Sequence, residues 1–247
     1  MMQRMCEIIT ARELADNVYT ITMEAGALGA KARPGQFVHI KCGEGNLLRR
    51  PISICDSRDG YLKIVFFAKG AGTKWLSERK SGFLDLIGPL GTGFSLEGRR
   101  ILLVGGGVGV PPLLFTAREA IGQVSAILGF GFERNVILKD NFRDVCDQVF
   151  ITTADGSVGE RGFVTDPLAR ELATGKYDGV LACGPTPMLR AVAKLAAEHN
   201  VPCQVSMEER MACGVGACLG CIVPMENGEN LRACHDGPVF NATEVKW

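Results

Sequence analysis

Four of the ten cysteines of this chain lie close together near its carboxyl terminus, in the stretch ERMACGVGACLGCIVPMENGENLRAC. They are Cys213, Cys218, Cys221 and Cys234, spaced C-x4-C-x2-C with a more distant fourth cysteine. This is the spacing of plant-type [2Fe-2S] sites, in which four thiolates bind two irons. The interspersed Gly214, Gly216 and Gly220 let backbone N–H groups turn toward the sulfur atoms. The spacing therefore favours an iron-sulfur cluster with these four cysteines as its ligands.

Zinc and a Rieske centre are the competing metal sites. Structural zinc usually draws on two C-x2-C-like pairs, whereas one close trio and one distant cysteine fit iron-sulfur better. A Rieske centre needs two histidines, and the chain has only His39, His199 and His235. We therefore expect His235, next to Cys234, to be a neighbour of the cluster and not a ligand. Zinc remains an alternative at this point.

The other six cysteines are scattered singly, mostly beside apolar residues, and are expected to be small buried hydrophobes. They are Cys6, Cys42, Cys55, Cys146, Cys183 and Cys203.

Composition excludes several functional classes. Lysine plus arginine equals aspartate plus glutamate at 27 each, so no net charge attracts nucleic acid or anionic lipid. The longest apolar runs, such as residues 100–115, are broken by glycine and proline and are too short to span a bilayer. Glu7, Arg12, Glu13 and Asp16 stand where a signal peptide needs an apolar core. We expect a cytoplasmic protein without nucleic-acid or membrane partners, in which thiols stay reduced and disulfides are disfavoured.

The pattern of apolar residues predicts three parts. Residues 1–98 read as short strands such as QFVHIKC and YLKIVFFA with one helical stretch, GTKWLSER, which predicts a small closed antiparallel β-barrel. Over residues 99–205 strands alternate with helices, which predicts a parallel α/β domain. Both patterns disappear after VPCQVSMEE, so residues 206–247 are expected to form a glycine- and cysteine-rich loop segment that binds the cluster.

Two loops of the α/β part could bind a nucleotide. GGGVGVPP follows the first strand of this part, and glycine lets unpaired N–H groups at a helix start approach a phosphate closely. Val110 stands where the strict fingerprint has its third glycine, so a purely structural turn remains an alternative. CGPTPM follows a later strand at the same edge of the sheet. The candidate residues are Gly105, Gly106, Gly107, Gly109, Cys183, Gly184 and Pro185.

Two stretches of the barrel, RRPISI and KGAGT, could hold a second phosphate-bearing ligand. Arginine can pair with a pyrophosphate, and glycines at a helix start offer backbone donors. On physical grounds alone this pair is a weak signal.

Together the motifs resemble, over essentially the whole chain, the ferredoxin-reductase superfamily, whose Greek-key barrel binds FAD and whose α/β domain binds a nicotinamide nucleotide. The stretch EERMACGVGACLGCIVP with CHDGPVF is similar to the electron-transfer subunits of B-type dihydroorotate dehydrogenases. Ile52 departs from the superfamily, where tyrosine is common, which leaves the stacking of the flavin ring open. The resemblance implies FAD-binding residues Arg50, Pro51, Ile52, Ser53, Val65, Phe66, Phe67, Gly72 and Thr73.

The resemblance also implies a function. A partner subunit with FMN would oxidise dihydroorotate in pyrimidine biosynthesis. The electrons would then pass from this FMN through [2Fe-2S] and FAD to NAD+. The complex would be a heterotetramer with two copies of each subunit. No residue of this chain looks like a base for dihydroorotate. NAD is expected over NADP on family grounds. The sequence itself leaves the choice open, because Glu133 suits ribose hydroxyls whereas Arg134 could meet a 2′-phosphate.

Three alternatives stand beside this function. One is the flavin and iron-sulfur subunit of a related NAD(P)H:ferredoxin oxidoreductase or of a hydrogenase; a related branch has aspartate near the first ligand position, where this chain has Cys213. The second is a zinc-stapled nucleotide-binding protein without catalysis. The third, a redox sensor, would usually carry a DNA-binding or signalling segment, and none is apparent in the sequence.

Overall fold

The first part of the chain folds into a closed six-stranded barrel, as predicted. The structure is a computed structural model that describes residues 1–247. Neighbouring barrel strands pair antiparallel in the order β1-β2-β5-β4-β3-β6. The strands are Met2–Ala15 (β1), Val18–Glu24 (β2), Phe37–Ile40 (β3), Arg50–Arg58 (β4), Tyr61–Phe67 (β5) and Phe83–Leu90 (β6), and the helices are Ala27–Ala30 (α1) and Ala71–Ser77 (α2).

In most barrel strands, buried and more exposed residues alternate, and the buried ones form the barrel core. In β6, Leu84 and Leu86 point into the barrel core while the residues between them are more exposed. Strand β3 is different, because all four of its residues are buried. Val38 and Ile40 join the barrel core, whereas Phe37 belongs to a second core shared with the rest of the molecule. The outer face of β3 is therefore covered by another part of the chain.

The second part is a parallel sheet with helices, as the alternating pattern predicts. Its sheet has seven strands in the order β10-β9-β8-β7-β11-β12-β15. The elements are Arg100–Gly106 (β7), Val110–Glu119 (α3), Gln123–Phe130 (β8), Lys139–Arg143 (α4), Gln148–Thr153 (β9), Glu160–Arg161 (β10), Thr165–Ala173 (α5), Gly179–Cys183 (β11), Thr186–Glu198 (α6) and Cys203–Ser206 (β12). From β7 the chain adds strands β8, β9 and β10 on one side of the sheet, and then β11 and β12 on the other side. The position between β7 and β11, where the direction of winding changes, is a topological switch point, and open α/β sheets bind ligands at such points.

The carboxyl-terminal segment, expected to be a glycine- and cysteine-rich loop region, also contains three short strands. Residues Ile222–Pro224 (β13) and Asn230–Arg232 (β14) form an antiparallel hairpin, and Val239–Asn241 (β15) pairs antiparallel with β12. These strands are only three residues long, so they leave almost no periodicity to detect in the sequence. Because β15 completes the sheet of the second part, the chain does not separate cleanly at the expected boundary between residues 205 and 206.

One core joins the three parts. Its 26 buried residues include Phe37 of the barrel, Val104 of the parallel sheet, and Cys221 and Cys234 of the final segment. The final segment is thus packed into the core of the molecule and holds two of the four clustered cysteines there.

No helix of the chain is long and apolar enough to cross a membrane.

Candidate functional site

The hairpin β13–β14 places Cys221 and Cys234 side by side. Cys221 directly precedes β13 and Cys234 lies two residues after β14, and the N–H of Ala233 donates to the carbonyl of Cys221 at 2.8 Å. Both cysteines are buried. Burial, together with the neighbouring thiol of Cys221, raises the pKa of Cys234 to about 12. The hairpin therefore explains how a cysteine distant in sequence returns to the trio.

Cys213 and Cys218 form a second pair on the loop that precedes the hairpin. Cys218 is exposed and Cys213 is half-buried. Partial burial acts to raise the pKa of Cys213, but N–H groups of Val215, Cys218 and Ala217 and the Cys218 thiol outweigh it, and the pKa falls to about 6. Backbone donors that lower a thiol pKa stabilise the thiolate, which is the form that binds metal. This loop is thus suited to hold anionic sulfur.

The arrangement in two pairs fits a two-iron cluster. Each iron of a [2Fe-2S] site takes two protein ligands. The N–H of Gly216, on the loop of the outer pair, donates to Cys234 Sγ of the inner pair at 3.1 Å. The two pairs therefore lie against each other, as the ligands of a two-iron cluster would.

The cluster loop rests on the outer face of the barrel. A Cβ at Gly214 would lie 2.5 Å from Nδ1 of His39 in β3, and Gly214 has φ +70°, which favours glycine. His39 pairs across the strands with Pro51 of the RPIS stretch in β4. The segment expected to bind the cluster thus contacts the strand beside the one expected to bind FAD.

His39 is an unusual residue at this contact. It is 1 % exposed, and its Nε2 has no hydrogen-bond partner. Burial and then the charges of Arg49 and Arg50 lower the pKa of His39 to about 4, so the imidazole is neutral at neutral pH.

The two barrel motifs meet, as expected for one phosphate site. A Cβ at Gly72 would lie 2.5 Å from Nε of Arg50, so the guanidinium lies directly on the start of α2. The guanidinium also donates to Asn46 Oδ1 at 3.2 Å and to the Leu48 carbonyl. The hydroxyl of Thr73 accepts from the N–H groups of Lys69 and Gly70 and so caps this helix. Arg50 and Gly72 can act on the same ligand, while the Thr73 hydroxyl is already engaged.

The remaining FAD candidates lie on different faces of the barrel. Phe66 is in the barrel interior with its ring stacked on Tyr19, at a centroid distance of 6.0 Å. Val65 packs in the core shared with the parallel sheet, and Phe67 is exposed. Pro51, Ile52 and Ser53 are half-buried in β4. Of the aromatic candidates, Phe67 is the exposed one.

The two loops of the parallel sheet also meet. Gly105 in β7 pairs with Cys183 in β11, and a Cβ at Gly109 would overlap the Cys183 carbonyl. A Cβ at Gly106 would lie 2.5 Å from Sδ of Met188, the last residue of CGPTPM, in the first turn of α6. Gly107, with φ +54°, has open space beside it. The loops thus form one backbone-lined edge at the switch point of the sheet, and glycine is required there by close packing and by conformation.

The sequence reasoning missed two groups of side chains at the site. The sequence did not predict that His39 lies beside the cysteine loop. All four residues of β3 are buried, so no alternation distinguishes the residues that face the barrel core from those that face outward. Arg232 and Asp236 flank Cys234 and form an ion pair of 2.8 Å. Their spacing of four residues around a ligand cysteine was a signal available in the sequence.

The fold and the site define a ferredoxin-reductase-like flavoprotein with an iron-sulfur site. The chain has the antiparallel barrel, the parallel sheet with its two paired loops, and the appended segment with four cysteines. Residues 208–246 match the family described as the iron-sulfur cluster binding domain of dihydroorotate dehydrogenase B.

The curated relatives match nearly the full chain. The electron transfer subunit of dihydroorotate dehydrogenase B (NAD(+)) from Caldanaerobacter subterraneus subsp. tengcongensis is 42 % identical, covering 96 % of both chains. The subunit of the same name from Shouchella clausii is 41 % identical, again covering 96 % of both chains. The chain therefore belongs to the family of electron-transfer subunits of dihydroorotate dehydrogenase B.

A solved structure is also similar over almost the whole chain. It comes from a study of flavin-based electron bifurcation by an NADH-dependent reduced ferredoxin-NADP oxidoreductase. The identity is 34 % and the TM-score 0.89, with 99 % of this chain and 90 % of the other covered. The predicted family and fold are confirmed.

Proposed function

We propose that this chain is the electron-transfer subunit of an NAD-dependent dihydroorotate dehydrogenase of pyrimidine biosynthesis, linking a partner's FMN to NAD+ through [2Fe-2S] and FAD. The observation that carries the proposal is the contact between Gly214 of the cysteine loop and His39, whose cross-strand neighbour is Pro51 of the RPIS stretch. The residues suited to a cluster and those suited to a flavin are thereby held in one rigid packing arrangement.

FAD exchanges electrons singly or in pairs, so when bound it connects a two-electron hydride carrier to a one-electron cluster. Arg50 and Gly72 would hold the pyrophosphate of FAD, with Thr73 fixing the helix start. Pro51, Ile52 and Ser53 would line the flavin from β4, and Val65, Phe66 and Phe67 would shape its site from β5. The ring stacking that tyrosine gives in the wider superfamily is then left to Phe67, which is exposed.

The edge formed by the β7 and β11 loops would bind the nicotinamide nucleotide. Gly107 and Gly109 would present backbone N–H groups just before α3, where the helix dipole favours a phosphate, and Gly105 and Gly106 would form the end of β7 beside them. Cys183, Gly184 and Pro185 would form the other side. Burial raises the pKa of Cys183 to about 12, which suits a packing role and excludes a reactive thiolate there.

The partner would be an FMN-containing catalytic subunit in a heterotetramer with two copies of each chain. This division of labour rests on the names of the relatives, which are electron transfer subunits. A cytoplasmic location is supported by the ten cysteines, none of which is paired in a disulfide.

Purified full-length chain provides the test. We expect a yellow-brown protein that contains flavin and iron, reduces artificial electron acceptors with NADH, and does not oxidise dihydroorotate. Addition of the FMN-containing subunit should give dihydroorotate:NAD+ activity. A colourless protein with bound zinc, or dihydroorotate oxidation by this chain alone, would overturn the proposal.

The similarity to the ferredoxin-NADP oxidoreductase structure supports a second candidate, a subunit of that kind of enzyme or of a hydrogenase. The relatives named for dihydroorotate are more similar in sequence, at 42 % and 41 % against 34 %. Co-purification decides between them. An FMN-containing partner that is reduced by dihydroorotate supports the first candidate, and a partner that is reduced only by ferredoxin supports the second.

A further inference from the structure

Arg232 and Asp236 form a side-chain clamp beside the buried pair of cysteines. Nε and Nη2 of Arg232 donate to the two carboxylate oxygens of Asp236 at 2.8 and 2.9 Å. Asp236 also accepts from the backbone N–H of Arg232 at 2.8 Å. His235 Nδ1 lies 2.8 Å from the same carboxylate. A bidentate pair of this kind fixes the orientation of the guanidinium, which a single contact would leave free.

The third nitrogen of the guanidinium reaches the cysteine loop. Nη1 of Arg232 donates to the carbonyl of Gly216 at 2.9 Å, and the N–H of the same glycine donates to Cys234 Sγ at 3.1 Å. Gly216 has φ +82°, and a Cβ there would lie 2.9 Å from His235. The glycine is therefore held from three sides with its N–H directed at a ligand sulfur.

We propose that the Arg232–Asp236 clamp is a positioning device that aims the Gly216 N–H at Cys234 and sets the reduction potential of the cluster. Hydrogen bonds to ligand sulfurs and nearby charge are two established determinants of cluster potential. The inference rests on the cluster assignment made under the proposed function and adds residues that are not themselves ligands.

The two members of the clamp should act on the potential in opposite directions. Reduction adds negative charge to the cluster, so the cationic Arg232 favours the reduced form and the anionic Asp236 favours the oxidised form. A clamp that only supported the fold would give no such difference in sign. The sign of the shift therefore separates tuning from support.

The test is a potentiometric titration of the cluster, followed by its spectroscopic signal, in the full-length protein with its cofactors bound. Arg232→Gln should shift the potential to more negative values, by about tenfold in the one-electron reduction equilibrium, or roughly 59 mV. Asp236→Asn removes the negative charge but keeps an oxygen that accepts from Arg232, so it should shift the potential to more positive values. Arg232→Lys keeps the charge but loses the fork that holds Gly216, so its potential should fall by less than that of Arg232→Gln.

Arg190→Gln is the matched control, because Arg190 is an exposed arginine of α6, outside the cluster segment. It should leave the potential and the iron content unchanged. Unchanged potentials in both clamp variants, or shifts of the same sign, would overturn the inference. If Arg232→Gln loses its cluster, Asp236→Asn decides alone: a positive shift supports the inference and no shift overturns it. Wild-type protein without iron would instead contradict the proposed function.

Discussion

The two pairs of clustered cysteines differ in how the fold holds them. Cys221 and Cys234 are each 2 % exposed and sit at the base of a hairpin packed into the largest core of the molecule. Cys213 and Cys218 sit on a glycine-rich loop, and Cys218 is exposed. The inner pair is fixed by tertiary structure, whereas the outer pair is fixed mainly by local backbone N–H groups. The difference teaches that the same ligand type can contribute differently to cluster retention and to folding.

The largest expected effect is the loss of an inner ligand. Cys234→Ser or Cys221→Ser should remove nearly all cluster iron and loosen the final segment, because both side chains belong to the shared core. Iron analysis and circular dichroism measure the two losses. Cys203→Ser is the control, since Cys203 is buried in β12 outside the clustered stretch and should keep its iron. Wild-type iron in an inner-pair variant would show that the hairpin is not part of the site.

Loss of an outer ligand should have a smaller effect. Cys218→Ser removes an exposed sulfur, so the fold should be unchanged and more cluster should be retained than in either inner variant, with an altered visible spectrum. The comparison fails if Cys218→Ser unfolds the segment or loses as much iron as Cys234→Ser does.

A smaller effect again is expected where the cysteine loop meets the barrel. Gly214→Ala adds a Cβ that would lie 2.5 Å from the His39 ring, at a residue with φ +70°. The left-handed conformation and the overlap should together lower the free energy of unfolding by about 3 kcal/mol. Denaturant titration measures it.

Gly228→Ala is the matched control for that substitution. Gly228 has φ +85° but open space around it, so only the conformational cost of about 1 kcal/mol applies. Equal losses in the two variants would mean that the contact between Gly214 and His39 contributes nothing to stability.

The smallest expected effect is a pH dependence at His39. Its pKa falls from the ordinary 6.5 to about 4, so between these values the unfolded chain binds a proton that the folded chain does not. Stability from this residue is therefore present above pH 6.5 and is lost as the pH falls toward 4. Between pH 7.5 and pH 5 the loss should be about 2 kcal/mol.

His39→Gln removes the titrating group and should flatten this part of the pH profile relative to wild type. Denaturant titrations of both proteins at matched pH values measure the difference. Parallel profiles would show that the pKa of His39 is the same in the folded and the unfolded protein.

The sequence predicts the barrel and the parallel sheet well because their strands and helices are long enough to show a period. It predicts Cys213, Cys218, Cys221 and Cys234 as one group because their spacing is specific. The β13–β14 hairpin and β15 escape prediction because three-residue strands carry no period, and their pairing depends on the rest of the core.

The contacts made at the site depend on tertiary structure. The approach of His39 to Gly214 joins residues far apart in the chain, which no local pattern encodes. Arg50 and Gly72 were both expected at a phosphate, yet only folding shows that the guanidinium rests on the helix start. By contrast, Arg232 and Asp236 are near Cys234 in sequence, and a reading of charge around ligand cysteines would find them.

The most direct measurement for the whole account is electron paramagnetic resonance of the purified full-length chain after anaerobic reduction with NADH, combined with metal analysis. The account predicts bound iron and the signal of a reduced [2Fe-2S] cluster in the wild-type protein, and loss of that signal in Cys234→Ser. Bound zinc without iron, or an unchanged signal after all four cysteines are replaced by serine, would contradict it.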